Sequence, residues 1–335
     1  MTNYKKISFL VSPIRVLFTI DMNKTALLFA GQGAQYVGMG KDLADQFPSA
    51  NQWFGRAEQI LGYDLASICF NGPEAELTKT ENCQPAIFLV SWIGLQLLKE
   101  RMPDLTFQAT AGLSLGELTA LTAAGVFSFE DGLKVARQRG RFMQEACDLT
   151  CGGMAALVGL DESQTREVCE AADVEIANLN CPGQIVISGE AQKIAKACDL
   201  AKAKGAKRAI ALPVAGAYHS RLMASGRPKV AAMLDTMTLN APAVPVISNV
   251  TAQPHLSLPE IKARLAEQVT SPVRWEQSIR CLLSQGFTRF IELGPGTALT
   301  GFLKRIDKNA EVLNIGDVPS LEATIKRLGA SEQAV

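Results

Sequence analysis

The stretch that decides the fold is Ala111-Gly112-Leu113-Ser114-Leu115-Gly116-Glu117, which contains a Gly-x-Ser-x-Gly turn. Extended, partly apolar residues (107–111) precede the turn, and a helical run (117–124) follows it. A strand, a sharp turn and a helix form the context of a nucleophile elbow, whose glycines permit a strained turn that exposes the Ser114 hydroxyl. The start of the helix directs free N–H groups towards any oxyanion nearby. The same pentapeptide also occurs in structural turns, so the rest of the chain has to separate the two interpretations.

The composition of the chain limits its class. Among the 335 residues, 33 are Lys or Arg and 33 are Asp or Glu, and this balance predicts neither a nucleic-acid partner nor a membrane-surface partner. Eight cysteines without a Cys-x-x-Cys pair, and only two histidines, predict no zinc site and are typical of small buried residues in a reducing compartment. The length suffices for a large core in one elaborate domain or two.

The first 21 residues are expected to be a dispensable leader or a misassigned start. Two lysines followed by an apolar run (7–20) resemble a signal peptide, but Pro13 and Arg15 interrupt the run and no small-x-small cleavage site follows. The run is also too short to span a membrane. We therefore predict a cytoplasmic protein whose working start is Met22.

A glycine-rich loop follows the first predicted strand (25–30) and reads Gly31-Gln32-Gly33-Ala34-Gln35. It does not match a dinucleotide fingerprint, because Tyr36 occupies the third glycine position, and the later Gly40-Lys41 pair lacks the upstream glycine of a P-loop. Two interpretations stay open. The loop is either a plain strand-to-helix turn or a ligand-binding loop that carries Gln32 at the carboxyl end of the strand.

A helix predicted over residues 129–146 carries one arginine in the middle of its apolar face. Ser128 is its predicted N-cap. With successive residues about 100° apart, Arg139 lies among apolar residues, while Arg137 and Arg141 fall on the opposite side. A buried guanidinium requires a partner, and its planar fork suits a carboxylate. Either an internal salt bridge or an anionic substrate would supply that partner.

Residues 151–214 are predicted to form a small ferredoxin-like subdomain inserted into a larger α/β domain (22–150 and 215–335). The predicted order within the insert is strand, helix, strand, strand, helix, strand, which is the split-βαβ pattern. Its predicted elements are the strands 154–159, 174–179, 184–189 and 208–213 and the helices 161–172 and 191–204. The larger domain is predicted to contain the helices 49–61 and 83–101, the strands 244–250, 287–293 and 311–315, and a turn at Gly294-Pro295-Gly296.

A serine nucleophile needs a general base, usually a histidine, and the chain contains only two. His255 lies in a polar loop (251–255) and is expected to be solvated. His219 follows directly after the predicted small subdomain. Although a histidine is most often structural, the nucleophile hypothesis selects His219 as the base for Ser114.

Six motifs occur in the order found in one family. They are Gly31-Gln32-Gly33-Ala34-Gln35, Gly112-Leu113-Ser114-Leu115-Gly116-Glu117, Arg139-Gly140-Arg141-Phe142-Met143-Gln144, Asn180-Cys181-Pro182-Gly183-Gln184, Tyr218-His219-Ser220 and Glu292-Leu293-Gly294-Pro295-Gly296. From about Met22 to its end, the chain resembles the bacterial malonyl-CoA:acyl carrier protein transacylases. The resemblance implies an α/β fold with a hydrolase-like parallel-sheet core and an inserted ferredoxin-like small subdomain.

The resemblance also implies roles for individual residues. Ser114 would attack the thioester of malonyl-CoA, and His219 would take the serine proton and later protonate the leaving thiolate. The backbone N–H groups of Gln32 and Leu115 would form the oxyanion hole. Arg139 would bind the malonyl carboxylate, which would explain a charge on an apolar face.

In the family, the reaction is a double displacement, which here would pass through a malonyl ester on Ser114. The malonyl group is then transferred to the phosphopantetheine thiol of acyl carrier protein for fatty-acid biosynthesis. Gln268 matches the position whose backbone carbonyl orients the histidine, so that a Ser–His dyad requires no aspartate. The resemblance implies no metal and no other cofactor, since the CoA thioester is a substrate. The expected partners are malonyl-CoA and acyl carrier protein, and a monomer is expected.

One position departs from the family pattern. The family usually has histidine before the nucleophile, where this chain has Leu113. Because the oxyanion donor is a backbone group, we expect the chemistry to survive, while the effect on acyl selectivity stays open. Tyr218, before His219, is similar to the aromatic residue of malonyl-selective members and favours malonyl.

Three other functions are compatible with parts of the sequence. An esterase or thioesterase would share Ser114 and His219, but it would need an acidic triad member and would have no use for Arg139. A non-catalytic carrier-binding module would tolerate the loss of Ser114. A trans-acting acyltransferase of a polyketide pathway would have the same chemistry with another carrier. The candidate carrier-docking residues are Lys202, Lys204, Lys207 and Arg208.

Overall fold

A computed structural model of the chain describes residues 24–214 and 216–332. The predicted leader (1–21) and the predicted start at Met22 lie outside these described residues. Among the helices in the described ranges, none combines the length and the apolar character needed to cross a bilayer.

Helices, singly or in groups, separate most of the strands of the described chain. In chain order they are β1 (Lys24–Phe29), α1 (Lys41–Gln46), α2 (Pro48–Leu61), α3 (Leu65–Asn71), α4 (Glu74–Thr78), α5 (Thr80–Arg101), β2 (Ala109–Gly112), α6 (Leu115–Ala123), α7 (Phe129–Asp148), β3 (Gly152–Val158), α8 (Glu162–Ala172), β4 (Glu175–Cys181), β5 (Gln184–Glu190), α9 (Ala191–Ala203), β6 (Arg208–Ala211), α10 (Arg227–Asp235), α11 (Leu258–Gln268), α12 (Trp275–Ser284), β7 (Phe287–Leu293), α13 (Ala298–Ile306), β8 (Glu311–Ile315) and α14 (Val318–Glu332). A short 3₁₀ turn covers Arg221–Met223.

The first of the two four-stranded sheets is parallel, in the order β2-β1-β7-β8. Strand β1 is buried on both faces, because Leu27 and Phe29 belong to one hydrophobic cluster while Ala26 and Leu28 belong to another. Helices cover both faces, as is usual for a parallel sheet whose crossover connections are helical. This arrangement confirms the predicted hydrolase-like α/β core.

The second sheet is antiparallel, in the order β4-β5-β3-β6, and helices α8 and α9 pack against it and against each other. With β3 as the first strand of the unit, this order is that of a ferredoxin-like split βαβ fold. The small sheet encloses its own hydrophobic cluster, which includes Leu157, Ile187 and Ala197. A short parallel bridge joins β4 to Val273 of the larger domain, with Leu179 N–H donating to the Val273 carbonyl at 2.9 Å.

The strand predicted over residues 244–250 is wrong as a regular strand. This segment lies beside the edge strand β2, but it forms only isolated bridges, from Val246 to Thr110 and from Ile247 to Pro254. Pro245 accepts a hydrogen bond from Thr110 N–H through its carbonyl at 2.9 Å. Ile247 N–H donates in return to the Thr110 carbonyl at 3.0 Å. Because Pro245 has no N–H, the segment cannot continue the ladder towards the start of β2.

The turn between β2 and α6 depends on close backbone crossings. Ser114 has a φ of 53°, in a region that non-glycine residues rarely adopt. A Cβ atom added at Gly116 would lie 2.2 Å from the Phe29 carbonyl oxygen, and one added at Gly112 would lie 1.9 Å from the Gly116 carbonyl carbon. Both glycines are therefore required so that the helix start can sit against β1 and β2.

We expect the substitution Gly116→Ala to destabilise the protein by about 3 kcal/mol or more, because two backbone segments would have to move apart. The matched control is Gly301→Ala in α13, where an added Cβ meets nothing within 4 Å. That change removes backbone entropy from the unfolded chain and should stabilise by about 0.5–1 kcal/mol. Urea unfolding of the two variants measures both effects. Equal stabilities for the two variants would contradict the account of the turn.

Candidate active site

A cavity of about 960 Å³ lies between the two sheets. Its lining includes the turn residues Leu113 and Ser114, the loop after β1 with Gln32, and residues of the small sheet such as Asn180. Its volume is at the upper end of the range usual for ligand pockets. Ser114 and His219 both line the cavity, so the predicted nucleophile and base share one site.

Ser114 and His219 contact each other directly. Ser114 Oγ lies 2.8 Å from His219 Nε2, and His219 Nδ1 lies 2.8 Å from the backbone carbonyl oxygen of Gln268. A carbonyl can only accept, so Nδ1 carries the proton and Nε2 is left to accept from the serine hydroxyl. The ring is held in the tautomer that a general base for Ser114 requires.

The surroundings of His219 keep it neutral. Burial lowers its pKa to about 4, and the nearby positive charge of Arg139 acts in the same direction. Both effects disfavour the imidazolium form. At neutral pH the ring is therefore unprotonated at Nε2 and ready to take a proton.

Arg139 lies beside the serine, with 1% of its surface exposed. Its Nη1 donates to Gln84 Oε1 at 2.7 Å, while its Nη2 donates to Gln268 Oε1 at 2.8 Å and to Ser114 Oγ at 3.1 Å. Its Nε has no hydrogen-bond partner within the described chain. All of these partners are neutral. The internal salt bridge that the sequence left open is therefore not formed within residues 24–214 and 216–332.

Burial lowers the pKa of Arg139 to about 10, and the charge of Glu117 opposes this shift. The guanidinium therefore remains protonated at neutral pH. A positive charge with only neutral hydrogen-bond partners, next to a serine in a cavity, is suited to bind an anionic group of a ligand.

The predicted oxyanion donors lie on either side of the turn. Leu115 is the first residue of α6, and its N–H is one of the free groups of a helix start. The loop that carries Gln32 packs against the turn, because a Cβ added at Gly31 would lie 2.3 Å from the Leu113 carbonyl oxygen. Neither N–H, of Gln32 or of Leu115, donates to any acceptor in the described part of the chain. Their role as an oxyanion hole stays a prediction.

The expectation that His255 is solvated is wrong. His255 is buried, and its Nε2 lies 2.8 Å from Oε1 of Glu117, a carboxylate with no exposed surface. The polar loop folds back on the larger domain, where His255 N–H donates to the Val246 carbonyl at 3.0 Å. The sequence gives no signal for this contact, because Glu117 and His255 are 138 residues apart.

Asn249 is a second site residue that the sequence analysis missed. Its Oδ1 accepts from Ser114 N–H at 2.6 Å, and its Nδ2 donates to the Gly112 carbonyl at 2.7 Å. It thereby holds both ends of the strained turn. The bridged segment at Val246, which lies within the strand predicted over residues 244–250, places Asn249 at this position.

Tyr218 and Leu113, the two residues expected to bear on acyl selectivity, both line the cavity. The Tyr218 hydroxyl lies 2.5 Å from Thr80 Oγ1 at the start of α5. As for metals, no group of three or more His, Cys, Asp or Glu side chains is placed to hold an ion within the described ranges.

Comparison with known proteins gives a consistent match. A family model described as an acyl transferase domain matches residues 26–324. The malonyl CoA-acyl carrier protein transacylase of Bacillus subtilis is 44% identical over 312 residues, which are 92% of this chain and 98% of that protein. The crystal structure of a malonyl CoA-acyl carrier protein transacylase from Clostridium perfringens, 41% identical, superposes with a TM-score of 0.88 over 93% of this chain and 99% of that one.

A further similar structure is a complex. It is described as a type II PKS acyl-carrier protein in complex with its malonyl-transacylase, and its matching chain is 36% identical to this one. The TM-score is 0.88, with 91% of this chain and 99% of that chain covered.

The geometry around His219 predicts its titration. We expect His219 to titrate near pH 4, well below the usual value of about 6.5. The substitution Arg139→Gln removes a neighbouring positive charge and should raise that pKa. Because the chain has only two histidines, NMR titration of the ring C–H signals, assigned with a His255→Gln variant, measures it directly. A midpoint at pH 6 or above in the unmodified protein would contradict the described surroundings of His219.

Proposed function

The chain belongs to the acyl transferase family, and we propose on that basis that it transfers the malonyl group of malonyl-CoA to the phosphopantetheine thiol of acyl carrier protein. The chain covers nearly the whole length of transacylases of that name at about 40% identity. The observation that carries the choice of acyl group is Arg139, a buried guanidinium without an anionic partner, 3.1 Å from the Ser114 hydroxyl.

In the first half-reaction, His219 Nε2 takes the proton of Ser114 Oγ as the oxygen attacks the thioester carbonyl of malonyl-CoA. The N–H groups of Gln32 and Leu115 stabilise the oxyanion of the tetrahedral intermediate. The intermediate then collapses, the C–S bond breaks, and the His219 proton goes to the leaving CoA thiolate. The product is a malonyl ester of Ser114.

In the second half-reaction, the thiol of the carrier's phosphopantetheine replaces CoA in the cavity. His219 takes the thiol proton as the sulfur attacks the Ser114 ester, and it returns that proton to the serine oxygen when the C–O bond breaks. The malonyl thioester of the carrier leaves, and the enzyme is regenerated. Water has to be kept from the ester during this exchange, or the protein would act as a hydrolase.

Arg139 selects the acyl group in this proposal. Its guanidinium exchanges the neutral Ser114 hydroxyl for the malonyl carboxylate, with which it forms a charge-assisted pair. Gln84 and Gln268 continue to hold its other donors. An acetyl group offers no anion, so it leaves the buried charge uncompensated and is bound less well.

An esterase or thioesterase with a Ser–His–acid triad is the less favoured function. In such a triad a carboxylate binds the histidine Nδ1, whereas here the Gln268 backbone carbonyl occupies that place. A trans-acting acyltransferase of a polyketide pathway shares the chemistry, and one similar structure is a complex with a type II PKS carrier. We propose fatty-acid biosynthesis because relatives that match over nearly their whole length, at 40–44% identity, are named as transacylases without a polyketide label.

The remaining properties follow from this reaction. The CoA thioester is itself the acyl donor, so we propose that no cofactor takes part. The eight cysteines are all unpaired, and this supports the predicted cytoplasmic location, since thiols persist in reducing compartments. The monomeric state and the carrier-docking role of Lys202, Lys204, Lys207 and Arg208 stay predictions. Lys202 and Lys204 are both engaged in surface ion pairs.

The test of the proposal is the mass of the intact protein after mixing with malonyl-CoA or with acetyl-CoA. We expect a malonyl adduct that the substitution Ser114→Ala abolishes. The substitution Arg139→Ala should slow its formation by about 30-fold or more, because a buried charge pair is lost, and should weaken the preference for malonyl over acetyl.

The matched control is Arg141→Ala, on the same helix but exposed and paired only with Glu145 on the surface, which should react like the unmodified protein. Release of CoA without any adduct would indicate a hydrolase. An adduct that persists in Ser114→Ala would refute the assignment of the nucleophile.

A further inference from the structure

A buried carboxylate lies behind the site and takes no part in the chemistry proposed above. We propose that Glu117, fixed by His255, is a positioning residue that orients Gln268, and through it both Arg139 and His219, for acyl transfer. This inference rests on the proposed function and deepens it. It assigns a purpose to two buried titratable side chains, Glu117 and His255, that the mechanism does not use.

Three groups hold the Glu117 carboxylate. Its Oε2 accepts from Asn249 N–H at 2.9 Å and from Gln268 Nε2 at 2.7 Å, and its Oε1 lies 2.8 Å from His255 Nε2. In this pair the carboxylate oxygen is the acceptor and His255 donates through Nε2. Glu117 and Gln268 are both completely buried, so water cannot replace any of these bonds.

Gln268, which Glu117 holds in place, forms hydrogen bonds with the reacting groups. Its side-chain Nε2 also donates to the Ser114 carbonyl at 3.1 Å, and its Oε1 accepts from Arg139 Nη2 at 2.8 Å. Its backbone carbonyl is the acceptor for His219 Nδ1. One residue at the end of α11 therefore contacts the nucleophile segment, the base and the predicted carboxylate receptor.

The orientation of the Gln268 side-chain amide decides whether Gln268 can accept the hydrogen bond from Arg139. If the amide were turned over, its NH₂ group would face the Arg139 guanidinium, and two donors would oppose each other. Glu117 excludes the reversed amide because an acceptor-only group must face the NH₂ end. A neutral glutamine at position 117 could face either end, so the orientation would no longer be unique.

His255 fixes the orientation of the Glu117 carboxylate, as Glu117 fixes that of the Gln268 amide. Its Nε2–H satisfies the oxygen that Asn249 and Gln268 do not use, while its Nδ1 is buried without a partner among the described residues. Without a donor at this place, the Oε1 atom would be buried and unpaired, which is costly for a charged group. The carboxylate would then rotate away from Gln268.

The test compares the rates of acyl-enzyme formation from malonyl-CoA and from acetyl-CoA. The isosteric substitution Glu117→Gln should slow the malonyl reaction by about 10-fold or more and lower the malonyl-to-acetyl rate ratio, because small displacements of reacting groups cost large factors in rate. The substitution Glu145→Gln, at a partly exposed position of α7, is the matched control and should leave the ratio unchanged.

A pair of substitutions at His255 provides the second arm. His255→Gln keeps a donor to Glu117 and should retain the ratio within about threefold, whereas His255→Leu removes the donor and should lower the ratio as Glu117→Gln does. Thermal unfolding of each variant accompanies the rates. Loss of folded protein alone would reduce the two acyl reactions equally and leave their ratio unchanged.

The result that overturns the inference is a ratio within about twofold of the unmodified protein in Glu117→Gln, whatever the stability of the variant. Failure of the proposed function is a different observation, because the unmodified protein would then form no malonyl adduct at all. A malonyl adduct in the unmodified protein with an unchanged ratio in the variants would leave the function standing and would remove only the positioning role.

Discussion

A guanidinium buried next to a serine–histidine pair is the constraint on which the rest of the site depends. Removing a charge from water costs several kcal/mol unless hydrogen bonds compensate it, and Arg139 has only amide and hydroxyl acceptors around it. This charge, which is not hydrogen-bonded to any anion among the described residues, has two consequences in our account. It adds to the burial that keeps His219 in the neutral form that a base needs, and it leaves a place for one anionic group beside the nucleophile.

The fold delivers these groups from distant parts of the chain. Ser114 comes from a turn that only glycines at positions 112 and 116 allow, because backbone atoms would otherwise overlap. Helix α7 places Arg139 against α5, where Gln84 Oε1 accepts a hydrogen bond from Arg139 Nη1. The end of α11 places Gln268 between Arg139 and His219. Helix α7 packs on α5 and α6, which lie on the parallel sheet, and α11 packs on α10. This packing gives the site the fixed geometry that acyl transfer requires.

Periodicity and local chemistry made much of this predictable from the sequence. The 3.6-residue period places Arg139 on the buried face of its helix, and the turn motif identifies Ser114, because both signals lie within a few neighbouring residues. His219 was found only because the chain has two histidines and one lay in a polar loop. That argument was right to select His219 as the partner of Ser114 and wrong about His255, which is buried.

The hydrogen-bond network around Glu117 could not be predicted from the sequence, for a physical reason. Glu117 is more than 130 residues away from both Asn249 and Gln268 along the chain. The hydrogen bonds that join it to these two residues form only when the segments pack together. The strand predicted at 244–250 failed for a related reason. The segment contains several β-branched apolar residues, but Pro245 and the short edge of β2 limit it to isolated bridges.

The central claim is that the acyl group is held on Ser114 with its carboxylate on Arg139, and a crystal structure after brief exposure to malonyl-CoA tests it most directly. We predict continuous density from Ser114 Oγ to a malonyl group whose carboxylate contacts the Arg139 guanidinium, with the Arg139–Gln268 hydrogen bond retained. Density for the acyl group on another residue, or a carboxylate that points to solvent away from Arg139, would contradict the account.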